Sequence, residues 1–229
     1  MRKIIALLLS VCAAFGLAAC GPSEPKPDPD AEVSAIDIAN PEHVGRLGRT
    51  YYDEDEELLY FNYTASGFEV RFRGSQLEID LVATEYASDV NRPVVTLTVD
   101  GQSPEEGSVW APMEELRTIE VENLDPEAIH TVRLQKRSEA AMSKTALKAL
   151  RTDGSFILAN APAARLIEVY GDSVTCGYGN RAATMGEAFS TLTEDGLATY
   201  AALAADAAGA ELSVLAASGW AIYQNVWNS

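Results

Sequence analysis

Alternation of apolar and polar residues dominates the middle of this chain. Because successive side chains of a strand point to opposite faces, each alternating run predicts a strand with one buried face and one face in water. Many short strands of this kind predict an antiparallel β-sandwich or barrel. An Asp100-Gly101 pair after one run predicts a hairpin turn. The runs occupy residues 68–73, 77–81, 94–99, 118–121 and 130–134.

The pattern changes near residue 160, where residues 165–170 predict a mostly buried strand and residues 211–216 predict another. A capping box at 191–194 and Gly209 in the position of a helix C-cap predict a helix between them. Strand, helix and strand begin a parallel α/β sheet. A weak signal also predicts a short helix over 144–149. The predicted helix face comprises Leu197, Tyr200, Ala201, Ala204 and Ala208.

The N-terminus has the features of an export signal. Arg2 and Lys3 precede an apolar run over residues 4–11, which is too short to span a bilayer. The sequence Leu-Ala-Ala-Cys at 17–20 resembles a bacterial lipobox, which implies lipidation of Cys20. We therefore expect an exported protein that is lipid-anchored to a bacterial membrane. Gly21 follows Cys20 rather than aspartate, which indicates the outer membrane or cell surface if the organism is Gram-negative.

These signals divide the chain into four parts. A doubly wound sheet needs more strand–helix units than the last part can hold, so we expect the chain to be C-terminally truncated. The four predicted parts are a lipoprotein signal peptide and lipobox over 1–20, a Pro-rich tether over 21–32, a β-sandwich domain over 33–160 and the N-terminal part of an α/β domain over 161–229.

Composition narrows the choice of partners. The chain carries 34 acidic and 17 basic residues, a net charge of −17, which argues against nucleic acid and anionic lipid as partners. Membrane contact is then expected through the lipid anchor only. After processing at Cys20, only Cys176 remains as a thiol, so no intramolecular disulfide is expected. His43, His130 and Cys176 are not clustered in sequence, which predicts no metal site, and no cofactor is implied.

The segment IEVYGDSVTCGYGN at 167–180 contains the candidate chemistry. Ser173 follows a predicted strand, at the end of a parallel sheet where ligands bind. A serine nucleophile needs a base and backbone N–H donors for the oxyanion, and Gly219 follows the next strand in the position of such a donor. Asp172 is expected to hydrogen-bond within the turn, and Cys176 to be a small buried packing residue.

The Gly-Asp-Ser-x-Thr pattern resembles the signature of SGNH (GDSL-type) hydrolases rather than the Gly-x-Ser-x-Gly elbow. Three further segments make the chain similar to carbohydrate esterase family 2. That resemblance implies an all-β jelly-roll sandwich followed by an incomplete α/β SGNH (flavodoxin-like) three-layer domain. It also implies a serine esterase that removes acetyl groups from plant polysaccharides such as xylan and mannan. The segments are RPVVTLTVDG (92–101), HTVRLQKRSEA (130–140) and FSTLTEDGLATYAALAA (189–205).

The resemblance implies that Ser173 is the nucleophile and that the N–H groups of Ser173 and Gly219 are oxyanion donors. Trp220, directly after Gly219, is the candidate sugar-binding aromatic. The family's third donor, an asparagine in a Gly-x-Asn-Asp block, and its histidine in an Asp-x-x-His block have no counterpart here. We therefore expect this chain to be inactive alone. His43 and His130 lie in the predicted sandwich, where structural roles are expected.

Two alternatives stay open at this point. One is a non-catalytic, surface-anchored glycan-binding lipoprotein, since a jelly roll is a common carbohydrate-binding scaffold and fold alone does not establish function. The other is an SGNH esterase with another ester substrate, such as a lipid or an acetylated cell-surface glycan. The sequence does not identify the polysaccharide, the deacetylated hydroxyl or the oligomeric state.

Overall fold

A computed structural model describes residues 28–84, 86 and 88–221 of the chain. The predicted signal peptide, Cys20 and most of the predicted tether lie outside the described residues, so export and lipidation stay predictions. Among the described residues, no helix has both the length and the apolar character to cross a membrane.

The alternating runs form two antiparallel sheets, as expected. The first has the order β1-β12-β5-β10-β7-β8, with β2 also paired to β5, and the second has the order β3-β4-β11-β6-β9. The first sheet comprises β1 (Glu32–Val33), β2 (Gly45–Leu47), β5 (Gly67–Arg73), β7 (Val95–Val99), β8 (Ser108–Trp110), β10 (Ile129–Lys136) and β12 (Ser155–Ile157). The second comprises β3 (Tyr51–Asp53), β4 (Leu58–Tyr60), β6 (Leu77–Thr84), β9 (Leu116–Val121) and β11 (Lys144–Thr152).

One apolar core lies between these two sheets. Phe68 and Phe72 of β5 and Leu134 of β10 are buried against Ile79 of β6 and Leu147 of β11. Because both sheets supply fully buried side chains, neither sheet could bury its apolar face without the other. The predicted sandwich is confirmed at this level. Its finer assignment to a jelly roll stays a prediction.

The predicted helix over 144–149 is wrong. These residues belong to β11, which pairs with β4 on one side and with β6 on the other. The register between β11 and β6 shifts at Lys148, where a bulge inserts one extra residue. This bulge interrupts the alternation that would have marked a strand in the sequence.

The expectation of one wet face per strand is wrong for β5. Glu69 lies between the core residues Phe68 and Val70 and yet is buried. Its carboxylate is covered because Arg133 Nε donates to Oε2 at 2.6 Å and Asn160 Nδ2 donates to Oε1 at 2.6 Å. A buried carboxylate with two charged or polar donors avoids the cost of an unpaired buried charge.

After Ile157 the chain forms a parallel strand pair with helices. The strands β13 (Leu166–Gly171) and β14 (Glu211–Ala216) run parallel, with Gly171 opposite Ala216. The helices are α1 (Ser173–Cys176) and α2 (Tyr200–Ala207). The predicted order of strand, helix and strand is confirmed. The three-layer SGNH arrangement stays a prediction.

The predicted burial of this region needs two corrections. Strand β13 alternates between exposed and half-buried residues instead of being mostly buried, and both Leu166 and Tyr170 are exposed among the described residues. Helix α2 buries Ala201 and Ala205, while Tyr200 and Ala204 are exposed. The predicted face is therefore confirmed at Ala201 and wrong at Tyr200 and Ala204.

The helix caps of this region also differ in part from the predicted ones. The capping box forms between Ser190 and Thr193 around a 3₁₀ turn, one residue earlier than predicted, and Thr199 caps α2. Gly209 after α2 has a φ of +55°, as the predicted C-cap requires. Glu194, which the sequence pattern placed in the capping box, instead accepts the N–H of Glu139.

Candidate active site

The turn at Asp172 and Ser173, the serine turn, connects β13 directly to α1. Asp172 is the N-cap of α1, and its Oδ1 accepts the N–H of Val174 at 3.0 Å. Its carbonyl accepts the N–H of Cys176 at 3.0 Å. The predicted turn role of Asp172 is confirmed. Ser173 is half-buried. Because it is the first residue of the helix, its N–H has no intrahelical acceptor.

Two glycines allow this turn. A Cβ added to Gly171 would lie 2.0 Å from Oγ1 of Thr175, so position 171 needs glycine for space. Gly177 ends α1 with a φ of +82°, and a Cβ there would lie 2.3 Å from the carbonyl oxygen of Asp195. A side chain is therefore excluded at position 171 by Thr175 of α1 and at position 177 by the backbone of Asp195.

The turn after β14 lies at the same edge of the parallel pair. The N–H of Ala217 donates to the carbonyl of Gly171 at 3.3 Å, and the N–H of Trp220 donates to the carbonyl of Ala217 at 3.1 Å. Gly219 is the second central residue of this turn and has a φ of +84°, which a type II turn requires. The turn's own hydrogen bond does not use the Gly219 N–H. The Trp220 side chain is 47% exposed.

Asp195 links the loop after α1 to the sandwich. Its Oδ2 pairs with Arg137, directly after β10, at 3.0 Å and with Arg181 at 2.8 Å. Its backbone N–H donates to the carbonyl of Gly177 at 3.2 Å, and its carbonyl accepts from Asn180 Nδ2 at 2.8 Å. The segment that carries Ser173 is therefore fastened to the first sheet.

A buried group of ionisable side chains lies beneath both turns, and sequence reasoning missed it. Glu139, Cys176 and Glu194 are buried, and one ligand-type atom from each lies within 4.8 Å of the others. Cys176 was expected to be buried, which is confirmed. The sequence signal that could have revealed this group is the segment HTVRLQKRSEA, in which Lys136 and Glu139 come at the end of a core strand.

Lys136 is the buried base of this group. Its Nζ donates to three carbonyls, those of Asn62 at 2.9 Å, Ser143 at 2.7 Å and Glu139 at 3.2 Å. Burial lowers the pKa of Lys136 to about 7, although the charges of Glu194 and Glu139 act in the opposite direction. All three ammonium hydrogens thus have acceptors, and none of these acceptors is a carboxylate.

Burial also controls the acids of the group. It raises the pKa of Glu194 to about 8, and its Oε2 accepts the N–H of Glu139 at 3.0 Å. Burial raises the pKa of the Cys176 thiol well above its ordinary value. Glu139, Cys176 and Glu194 could offer ligands to a metal ion, but a thiol that resists deprotonation is a poor ligand.

Glu194 should make the stability of the protein depend on pH. Its folded pKa of about 8 exceeds the ordinary 4.5, so the folded state keeps a proton that the unfolded state loses between these values. The contribution of Glu194 to stability is therefore complete below about pH 4.5 and is lost as the pH rises toward 8. Relative to a Glu194→Gln variant, the wild-type free energy of unfolding should fall by up to roughly 1.4 kcal/mol per pH unit.

The measurement is urea unfolding of both proteins between pH 5 and 7. Lys136 contributes the opposite slope, but only above its folded pKa of about 7, so it does not offset Glu194 in this range. The exposed Glu120→Gln variant controls for the loss of one negative charge. Parallel pH profiles of the wild type and Glu194→Gln would show that Glu194 is ionised in the folded protein.

Both histidines lie in the sandwich. The ring nitrogens of His130 contact Asp100 Oδ2 at 2.7 Å and the carbonyl of Asp125 at 2.8 Å. Burial lowers the pKa of His130, but the hydrogen bonds to Asp100 and Asp125 together raise it above its ordinary value. Nδ1 of His43 accepts the N–H of Asp37 at 3.2 Å. These contacts support structural roles for both residues.

The two antiparallel sheets and the serine turn define a class of protein in which a β-sandwich precedes a parallel α/β region. The family model described as Carbohydrate esterase 2 N-terminal matches residues 46–162, just over half of the chain. The chain belongs to carbohydrate esterase family 2. The resemblance seen in its motifs is thereby confirmed.

Similar proteins include two that are both named acetylxylan esterase / glucomannan deacetylase, from Cellvibrio japonicus (strain Ueda107). One is 32% identical over 195 residues, which cover 81% of this chain and 49% of that protein. The other is 26% identical over 233 residues, which cover 99% of this chain and 59% of that protein. The chain spans between 22% and 59% of the length of the curated relatives it matches.

A solved structure agrees with this family assignment. An acetyl xylan esterase from the rumen bacterium Butyrivibrio proteoclasticus superposes with a TM-score of 0.71 at 25% sequence identity. The superposition covers 85% of this chain and 50% of that one. A coverage of 85% means that the superposition includes residues outside the 46–162 region.

Proposed function

We propose that the protein containing this chain is a serine esterase that removes acetyl groups from plant polysaccharides of the xylan or mannan type. One observation carries the proposal. Ser173 begins a helix directly after β13, and the Gly219 turn lies at the end of the adjacent parallel strand. The names of the two Cellvibrio japonicus relatives support the acetylated polysaccharide as substrate.

In the proposed reaction, Oγ of Ser173 attacks the acetyl carbonyl carbon. The carbonyl oxygen gains the negative charge, which the N–H groups of Ser173 and Gly219 stabilise. The sugar hydroxyl leaves with a proton, and an acetyl–Ser173 ester remains. Water then attacks this ester, which releases acetate and restores the Ser173 hydroxyl. Trp220 is proposed to stack on a sugar ring beside the turn.

The serine needs a general base to take its proton. Neither described histidine is assigned this role, because His130 uses both ring nitrogens within the sandwich and His43 contacts Asp37 there. The proposal therefore places nucleophile and oxyanion donors in this chain and does not assign the base to a described residue.

The experiment measures acetate release from acetylated xylan and acetylated glucomannan by the full-length protein that contains this chain. A Ser173→Ala variant should lose at least about a thousandfold in kcat, since removing a serine nucleophile removes the covalent route. Binding of the polysaccharide should persist in the variant.

Three other outcomes would change the proposal. Equal acetate release by wild type and Ser173→Ala would refute Ser173 as nucleophile. Ser173-dependent hydrolysis of p-nitrophenyl acetate without release from either polysaccharide would keep the esterase and reject the substrate. Polysaccharide binding without any turnover would favour the glycan-binding alternative.

A further inference from the structure

Glu139 is a residue of the sandwich that contacts both segments of the candidate site. It follows β10 and is fully buried. Its Oε2 accepts the N–H of Ser218 at 2.6 Å, and the thiol of Cys176 donates to the same oxygen across 3.7 Å. One carboxylate oxygen thus connects the turn after β14 with helix α1.

These two contacts end beside the candidate catalytic groups. Ser218 directly precedes Gly219, whose N–H is the proposed oxyanion donor. Cys176 lies in α1, the helix that Ser173 begins. The orientation of the Gly219 peptide depends on how the Ser218 residue is held, because Ser218 is the first central residue of the turn.

The backbone of Glu139 is itself fixed by two hydrogen bonds. Its N–H donates to Glu194 Oε2 at 3.0 Å, and its carbonyl accepts from Lys136 Nζ at 3.2 Å. A hydrogen bond to a carboxylate is shorter and stronger than one between neutral groups, and exclusion of water strengthens it further. The sandwich therefore offers the Ser218 N–H an acceptor that is fixed in place.

We propose that Glu139 is a positioning residue for the esterase site, which keeps the Gly219 turn aligned with helix α1. This inference rests on the proposed function. Oxyanion donors must already point at the developing charge before the reaction, and a displacement of about 1 Å can cost about a hundredfold in rate. The first part of the chain thus contributes directly to the geometry of a site in the second part.

The test compares kcat and KM for p-nitrophenyl acetate in the full-length protein and its variants. Glu139→Ala should lower kcat about a hundredfold and change KM less than about twofold. Glu139→Gln should stay within about tenfold of wild type, because an amide oxygen can still accept the Ser218 N–H. Ser218→Pro breaks the same hydrogen bond from the donor side in a position that suits proline, and should resemble Glu139→Ala.

Glu69→Ala is the matched control. Glu69 is another buried glutamate of the sandwich with two hydrogen bonds, but its partners are Arg133 and Asn160. The control should lower the melting temperature while kcat stays at the wild-type value. A purely structural role of Glu139 would make its variants behave like Glu69→Ala.

Amide hydrogen exchange supplies a readout that does not need turnover. Exchange of the Ser218 N–H, which donates to Glu139, should be at least about tenfold faster in Glu139→Ala than in wild type, and unchanged in Glu69→Ala. Unchanged exchange, or a folded Glu139→Ala variant with wild-type kcat, would overturn the inference. If Glu139→Ala does not fold, Ser218→Pro decides by kcat and KM, because it removes the same hydrogen bond, and a wild-type kcat in that variant would overturn the inference.

The two proposals can fail separately. Absence of Ser173-dependent turnover in wild type would refute the proposed function. Exchange of the Ser218 N–H in Glu139→Ala would then decide alone whether Glu139 holds the turn, with faster exchange supporting the contact and unchanged exchange refuting it.

Discussion

A Gly171→Ala variant should lose the serine turn and the activity that depends on it. The added Cβ would lie 2.0 Å from Oγ1 and 2.6 Å from Cβ of Thr175. Thr175 cannot move away easily, because it is buried in α1 and its Oγ1 hydrogen-bonds the hydroxyl of Tyr200 at 2.9 Å. We expect a loss of about 3 kcal/mol in the free energy of unfolding, typical of severe overpacking.

The measurement combines urea unfolding with esterase turnover of the full-length protein. Turnover should fall at least about a hundredfold, since the turn that presents Ser173 must shift. Gly186→Ala is the matched control in the following loop, where an added Cβ meets no atom within 4 Å. It should change stability by less than about 0.5 kcal/mol. Equal stability of the two variants would mean that the turn has more room than the geometry shows.

A Phe72→Ala variant should strongly destabilise the sandwich. Phe72 is fully buried in β5, with His130 opposite on β10 and Phe156 opposite on β12. Its ring lies 5.7 Å from that of His130. Removing it leaves a cavity that rigid neighbouring strands cannot fill, so we expect a loss of about 3–5 kcal/mol.

Urea unfolding of Phe72→Ala and Tyr51→Ala tests this expectation. Tyr51 is an aromatic residue of the same size class on β3, with its side chain 64% exposed. Its loss should cost less than about 0.5 kcal/mol. Similar costs for both variants would contradict a core centred on β5.

Much of the fold could be predicted because its signals are local. The alternating runs at 68–73 and 130–134 became β5 and β10, and Asp100-Gly101 became a turn with two positive φ angles. The strand over 144–152 was missed where a bulge at Lys148 breaks the alternation. Its pairing with β4 and β6, which no local pattern contains, overrides the weak helical signal.

Only some residues of the candidate site could be proposed from the sequence. Ser173 and Gly219 could be proposed as site residues because each comes within three residues of the end of a strand, and parallel strands bring their ends to one edge. Glu139 was not found, because a glutamate after a strand is normally solvated. Glu194 was assigned to a helix cap from its local pattern, which the structure gives to Ser190 and Thr193 instead.

The sequence alone determined the regularly alternating strands, the serine turn and the family, because periodicity, glycine positions and a contiguous motif are all local properties. Only the tertiary structure revealed that Glu139 contacts Ser218, 79 residues away, and Glu194, 55 residues away. Whether a charged side chain is solvated or buried depends on which distant segments cover it. The buried carboxylate that connects sandwich and serine turn is therefore a property of the folded chain.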